Sequence, residues 1–187
     1  MGHGGNVIEE LMADHREMDE LFARIEAQPV GHPQRRELAD VLTAELVRHS
    51  MAEEMHLYPA VREHVPHGGA MADKELAEHT EVERMLKDLE ALHPDDPQFN
   101  DITAKLKFKV ASHVREEEHD LFPKLAESCS AEKLDELGQL VRLSKETAPT
   151  RPHPLLPHSP PLEKLIAPGA GLVDRIRDLL SGRRTTE

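Results

Sequence analysis

The chain repeats itself at an offset of 64 residues, and the repeat carries its histidines. His15 recurs as His79, His49 as His113, Glu53 as Glu117 and Glu54 as Glu118. Leu57-Tyr58-Pro59 recurs as Leu121-Phe122-Pro123. The apolar positions follow the same offset: Leu38 with Ile102, Leu42 with Leu106, Leu46 with Val110, Phe22 with Leu86 and Ile25 with Leu89. A chain built this way is expected to fold as two like helix pairs around a pseudo-twofold axis.

Ile8, Leu11, Met12, His15, Met18, Leu21, Phe22 and Ile25 share one face of a helix over 7–28. Pro29, Gly31 and Pro33 break it. A second helix over 34–63 turns Leu38, Val41, Leu42, Glu45, Leu46, His49 and Glu53 inward, with Pro59 bending or ending its regular part. Residues 64–69 read as a turn and 72–92 as a third helix, closed by Pro94-Asp95-Asp96-Pro97. The fourth helix, over 100–125, points Ile102, Leu106, Val110, His113 and Glu117 inward and has Pro123 in its last turn. A fifth follows over 131–143, with Ser130 as its N-cap. From Ala148 onward, Pro149, Pro152, Pro154, Pro157, Pro160 and Pro161 predict an extended linker. A short amphipathic helix comes next, with Leu172, Val173, Ile176, Leu179 and Leu180 on one face. It is expected to dock on its own bundle or on a neighbouring subunit. Its short length and mixed charges argue against a lipid surface. The fold expected is all-α: an antiparallel up-down four-helix bundle with a fifth helix over 1–147, then a Pro-rich tail over 148–187 ending in a short helix.

The repeat separates core residues from ligands. Glu53 and Glu117 each follow a histidine by four positions, which puts both side chains on one helix face, a turn apart. Four imidazoles and two carboxylates would then meet inside the bundle. Without a cation their burial would cost several kcal/mol. Six nitrogen and oxygen donors with no thiolate suit iron or manganese better than structural zinc. Spread over four helices, they suit two ions. Each ion would take two histidines, the glutamates would bridge, and an oxo or hydroxo bridge would leave about one open position per ion.

The order His15, His49-Ser50-Met51-Ala52-Glu53, His79, His113-Val114-Arg115-Glu116-Glu117 resembles the H–HxxxE–H–HxxxE pattern of hemerythrin-like (HHE cation-binding) proteins, over residues 6–127. The tail, with Ala167-Pro168-Gly169-Ala170-Gly171, resembles that of bacterial, actinobacterial members. The resemblance implies a carboxylate-bridged site for two iron ions held by His15, His49, Glu53, His79, His113 and Glu117. It also marks two departures. Oxygen-carrying hemerythrins have a further histidine four positions before the one matching His79, where this chain has Glu75. They also use a carboxylate five positions after the last-helix histidine, where this chain has Glu118 beside Glu117. The site is therefore expected to be more symmetric than an oxygen carrier's. Glu75 aligns with Leu11 in the repeat and is assigned a solvent or outer role. A ferritin-like bundle would use Glu53…His56 and Glu116…His119, but those pairs fall out of register with the repeat.

The other positions are given lesser roles. Glu54 and Glu118 are candidate acceptors for ligand-histidine N–H groups, or solvated. Tyr58 and Phe122 are expected to pack at helix ends, with a place for Tyr58 near the iron as the alternative. His56, His64, His67, His93, His119, His153 and His158 are assigned to surfaces, turns or the linker. A formal net charge of −13 disfavours nucleic acid. One cysteine, Cys129, allows no intrachain disulfide, and no apolar run reaches the roughly 20 residues of a membrane span. A cytoplasmic monomer or weak homodimer is expected, with no membrane or nucleic-acid partner. The reaction expected first is peroxide disproportionation, catalase-like. O2 or NO binding without catalysis comes second, and iron sequestration or sensing third.

Overall fold

The computed structural model describes residues 3–154, 160–183 and 185, and for 160–168 the backbone alone. The helices are α1 (Val7–Ala27), α2 (Pro33–Ala52), α3 (Tyr58–His64), α4 (Gly68–Glu90), α5 (Pro97–Glu116), α6 (Phe122–Ser128), α7 (Ala131–Thr147) and α8 (Pro160–Ser181). No strand occurs among the described residues. The four long helices form an up-down bundle in which α1 packs on α2 and α5, and α4 on α2 and α5.

Local chemistry explains most helix ends. Asn6 caps α1 by accepting from the amides of Ile8 and Glu9, and Glu9 reaches back to the Asn6 amide. The starts of α2 and α5 repeat one another. His32 and Asp96 are the caps, each accepting from the amide two residues on, and Pro33 and Pro97 take the first helical position, where no amide partner is needed. Both prolines therefore begin helices, although the sequence pattern predicts that they close the preceding loops. The two loops meet, since the Gly31 amide donates to the Pro94 carbonyl at 3.1 Å.

Pro59 and Pro123 neither end nor sharply break their helices. Each is preceded by a five-residue π-helical turn, Glu53–Leu57 and Glu117–Leu121, that joins α2 to α3 and α5 to α6. The amides of Tyr58 and Phe122 reach back five residues, to the carbonyls of Glu53 and Glu117. A proline has no amide to donate and its ring crowds the carbonyl four residues back, so the widened turn accommodates both conditions. The stretch read as a turn at 64–69 is shorter than expected. His67 takes a left-handed conformation (φ 60°) and α4 begins at Gly68. A Cβ on Gly68 would lie 2.0 Å from the Val61 carbonyl oxygen, so only glycine permits this crossing.

Apolar packing falls into two clusters. Met18, Phe22, Leu42, Leu86, Phe99 and Leu106 belong to one. Leu11, Leu57, Val61, Leu121, Leu125 and Val141 belong to the other. The inward histidines lie between them in sequence on α1, α2 and α4. The fifth helix, α7, extends one turn past its expected end and packs on α1, α2 and the first π turn.

The tail departs most from expectation. Residues 148–150 are buried against the bundle, and α8 begins at Pro160, inside the stretch read as linker. Pro157 and His158 lie outside the described residues. The apolar face of α8 does not dock on its own bundle: Leu172, Val173, Ile176, Leu179 and Leu180 are 51–83% exposed. Asp174 and Asp178 are turned inward instead. Over its described side chains, ion pairs through Asp174 and Asp178 hold this helix. No helix is long and apolar enough to cross a membrane, among the described residues.

Candidate metal centre

The four repeat histidines and two repeat glutamates come together at mid-bundle, all buried. One donor atom each from His15, His49, Glu53 and Glu117 can be chosen within 4.8 Å of one another, and the same holds for Glu53, His79 and His113. Glu53 stands between the two halves. Its Oε1 lies 3.1 Å from His49 Nε2 and its Oε2 3.3 Å from His79 Nε2. Glu117 does the converse, with Oε2 at 3.4 Å from His15 Nε2 and 3.5 Å from His113 Nε2. Each glutamate thus contacts a histidine from its own helix pair and one from the other.

The centre fits a cation on its unpaired atoms. His15 Nε2, His49 Nε2, Glu53 Oε1 and Glu117 Oε2 are buried and without hydrogen-bond partners, and all four point into the same space. Leaving polar atoms so is costly unless something binds there. A cation coordinated by nitrogen and oxygen satisfies all four at once.

Behind the donors stands a second ring of carboxylates, one or more on each Nδ1. His15 pairs with Glu118 at 2.9 Å, His49 with Asp14 at 3.1 Å and His79 with Glu54 at 2.8 Å. His113 has two partners, Glu75 at 2.8 Å and Glu78 at 3.2 Å. An imidazole that donates from Nδ1 presents the lone pair of Nε2 to a metal, so these carboxylates set the tautomer and the ring orientation. Lys145 from α7 anchors Asp14 at 2.6 Å and the fully buried Glu10 at 2.8 Å.

In the metal-free chain protons take the part of the cation. Burial disfavours charge on His49, but Glu53 and Asp14 outweigh it and push the imidazole up to about 10. Burial acts the same way on His113, and Glu117, Glu75 and Glu78 hold it well above the ordinary range. Burial would raise Glu53, yet His49 and His79 hold it well below the carboxylate range. The chain is therefore set to exchange protons for metal.

The match with known proteins falls on this same stretch. The family described as the hemerythrin HHE cation-binding domain matches residues 6–125. The chain belongs to the hemerythrin HHE family. An uncharacterised hemerythrin-like protein of Schizosaccharomyces pombe is 30% identical over 137 residues, 73% of this chain and 68% of that one. A DNA nickase of a Nostoc species is 30% identical over 141 residues, and the match spans only 39% of its length. Among solved structures, a hemerythrin HHE cation-binding domain-containing protein from Mycobacterium kansasii aligns with a TM-score of 0.67 at 28% identity. That alignment covers 76% of this chain and 86% of the other.

This HHE centre is less symmetric than its repeat. Tyr58 does not simply pack at a helix end: its hydroxyl lies 3.1 Å from Glu117 Oε1, 3.1 Å from His79 Nε2 and 3.4 Å from Glu53 Oε2. Its counterpart Phe122 has no hydroxyl and stacks on His15 at 5.8 Å. Glu75 is buried against His113 rather than solvated, while its counterpart Leu11 is core. Sequence reasoning passed over Asp14 and Glu78, although the repeat relates them, each standing just before its histidine. It also missed Lys145, whose partners lie more than 130 positions away and left no local trace.

Glu54 and Glu118 take the outer places considered for them. His67, His93 and His119 are exposed, while His56, His64 and His153 are partly covered and outside the cluster. An open cleft between α1 and α5, bordered by His15, Phe22, Val114, Glu118 and His119, leads toward the His15 side of the centre.

Proposed function

We propose that this HHE domain holds two iron ions on His15, His49, Glu53, His79, His113 and Glu117, and disproportionates hydrogen peroxide there. The observation that carries the reading is the four buried, unpartnered donor atoms of His15, His49, Glu53 and Glu117, with both glutamates also reaching the His79–His113 pair. Charge supports it. Asp14, Glu53, Glu54, Glu75, Glu78, Glu117 and Glu118 crowd four imidazoles that must be neutral to ligate, leaving a negative excess that two multivalent cations offset.

Two iron ions would supply a two-electron store, which the reaction needs. One peroxide gives up two electrons and two protons to become O2, and another takes them to become two waters. The chain's own groups manage the protons and the access. The Tyr58 hydroxyl, kept protonated by burial and by the surrounding carboxylates, stands between the bridging glutamates as a hydrogen-bond donor. Glu118 is partly exposed and connects solvent in the α1–α5 cleft to His15 Nδ1. The Phe122 ring covers His15 on one face and keeps that side apolar.

The test is to load the protein with iron, add H2O2 and follow O2 release. Release well above that of free iron is expected, and release no greater than free iron overturns the reading. A second reading, reversible binding of O2 or NO without turnover, draws on the near-complete burial of all six donors, which suits a small ligand. It predicts a visible spectrum that changes on adding gas and recovers on removing it.

A further inference from the structure

The last helix is mounted with its polar side in. Asp174 and Asp178 are 0% and 4% exposed and are consumed by the chain's own groups. Asp174 accepts from the Arg151 amide at 3.1 Å and from His153 Nε2 at 2.8 Å. Asp178 accepts from Arg151 Nε at 2.8 Å and from the Thr150 hydroxyl. Just beyond the helix, Arg183 bridges Asp40 of α2 and Glu90 of α4 at 3.1 and 2.9 Å. Gly171 lies so close to the end of α7 that a Cβ there would be 2.2 Å from the Thr147 carbonyl oxygen.

The outward side is apolar and basic. Leu172, Val173, Ile176, Leu179 and Leu180 are each more than half exposed. Between residues 169 and 182 the exposed charges are Arg175, whose guanidinium donates back to the Glu146 carbonyl, and Arg177. Between residues 172 and 180 folding thus turns both acids inward and leaves Arg177 beside the apolar stripe. That sorting removes the objection the sequence raised to a lipid surface.

We propose that α8 docks on an anionic phospholipid bilayer, its outward stripe sinking to the acyl boundary and Arg177 meeting lipid phosphate. A second copy of the chain is the rival occupant, and two observations disfavour it. Five side chains at about 100 Å² each offer about 500 Å² per chain, short of the roughly 800 Å² per partner of a stable interface. A twofold pairing of the 172–180 stripe with itself would bring two Arg177 charges into one interface, because Asp174 and Asp178 are already buried. The net charge of −13 repels an anionic surface, but salt screens that beyond about 8 Å. Binding should therefore be salt-sensitive and reversible.

The experiment is flotation of the full-length chain with vesicles of phosphatidylcholine, alone or mixed equally with phosphatidylglycerol. The native protein is expected to float with the mixed vesicles, less so at high salt, and not with phosphatidylcholine alone. Ile176→Asp with Leu179→Asp, both at exposed positions, should lower the partition coefficient about a hundredfold while helix content and melting temperature stay unchanged. Arg177→Glu, which removes no apolar contact, should weaken binding in the mixed vesicles and serves if the double variant misfolds. Absence of flotation by the native chain, or flotation unchanged by these variants, overturns the proposal. So does a concentration-dependent dimer that the double variant dissolves, which would assign the stripe to a second copy.

Discussion

Each of the four central histidines is clamped through Nδ1 by a carboxylate, so single residues divide into proposed donors and orienters. Glu54→Gln keeps the shape but weakens the hold on His79 Nδ1. It should lower iron affinity about 10- to 100-fold, read by competition against a chelator, with the fold unchanged. Tyr58→Phe copies the residue that the repeat already tolerates at 122. It should cost the metal-free protein about 1 kcal/mol in denaturant unfolding, keep the iron content and change the peroxide turnover. The sign of the pH dependence comes from His49, whose folded value of about 10 lies above its ordinary 6.5. In the metal-free chain that stabilisation is complete below pH 6.5 and is lost as pH rises through about 10. Unfolding midpoints of apo protein measured from pH 6 to pH 10 should therefore fall. A flat profile would show that His49 is neutral in the folded apo chain.

At the scale of elements, the π turns show how a motif becomes a site. Each begins at the central glutamate, Glu53 or Glu117, and ends before the tyrosine or phenylalanine that flanks the centre. The extra residue per turn rotates the downstream helix, which helps bring the Tyr58 hydroxyl in rather than leaving it at a helix end. The HxxxE spacing and the prolines were both legible in the sequence. Their combination was not, because a proline in a helical pattern reads equally as a kink, a stop or a widened turn. Gly68 gives a test of the α3–α4 crossing. Gly68→Ala forces a methyl against the Val61 carbonyl, and a loss of about 2–3 kcal/mol in unfolding free energy is expected. An equal substitution at Gly169, where nothing lies within 4 Å of the added Cβ, meets no such contact.

Taken whole, the molecule is a bundle whose middle is polar and whose two apolar clusters carry the packing. Because metal binds the folded chain and not a preformed unfolded site, iron should raise the melting temperature with concentration, and a chelator should return it to the apo value. The tail is fastened separately, through Arg151, Arg183, Asp178 and Glu90. Asp178→Ala leaves Arg151 and Arg183 without that partner. It should lower stability by about 2–3 kcal/mol while leaving iron content intact. Loss of iron in that variant would show that the strap also supports the centre.

The sequence alone determined the helical class, the four long helices and the six inward histidine and glutamate side chains, because helical period and a 64-residue repeat are local regularities that survive without coordinates. Glu54 and Glu118 were legible for the same reason, each being the neighbour of a ligand. Tertiary structure decided the rest. It set Asp14, Glu75 and Glu78 behind the histidines, turned Tyr58 inward while Phe122 stacks, and brought Lys145 across from α7. It also mounted α8 with its acids buried and its leucines out. A hydrophobic face tells a helix only that it wants covering. Where buried arginines already claim its acids, the ion pairs fix which side meets the bundle, and no periodicity in the chain reports that.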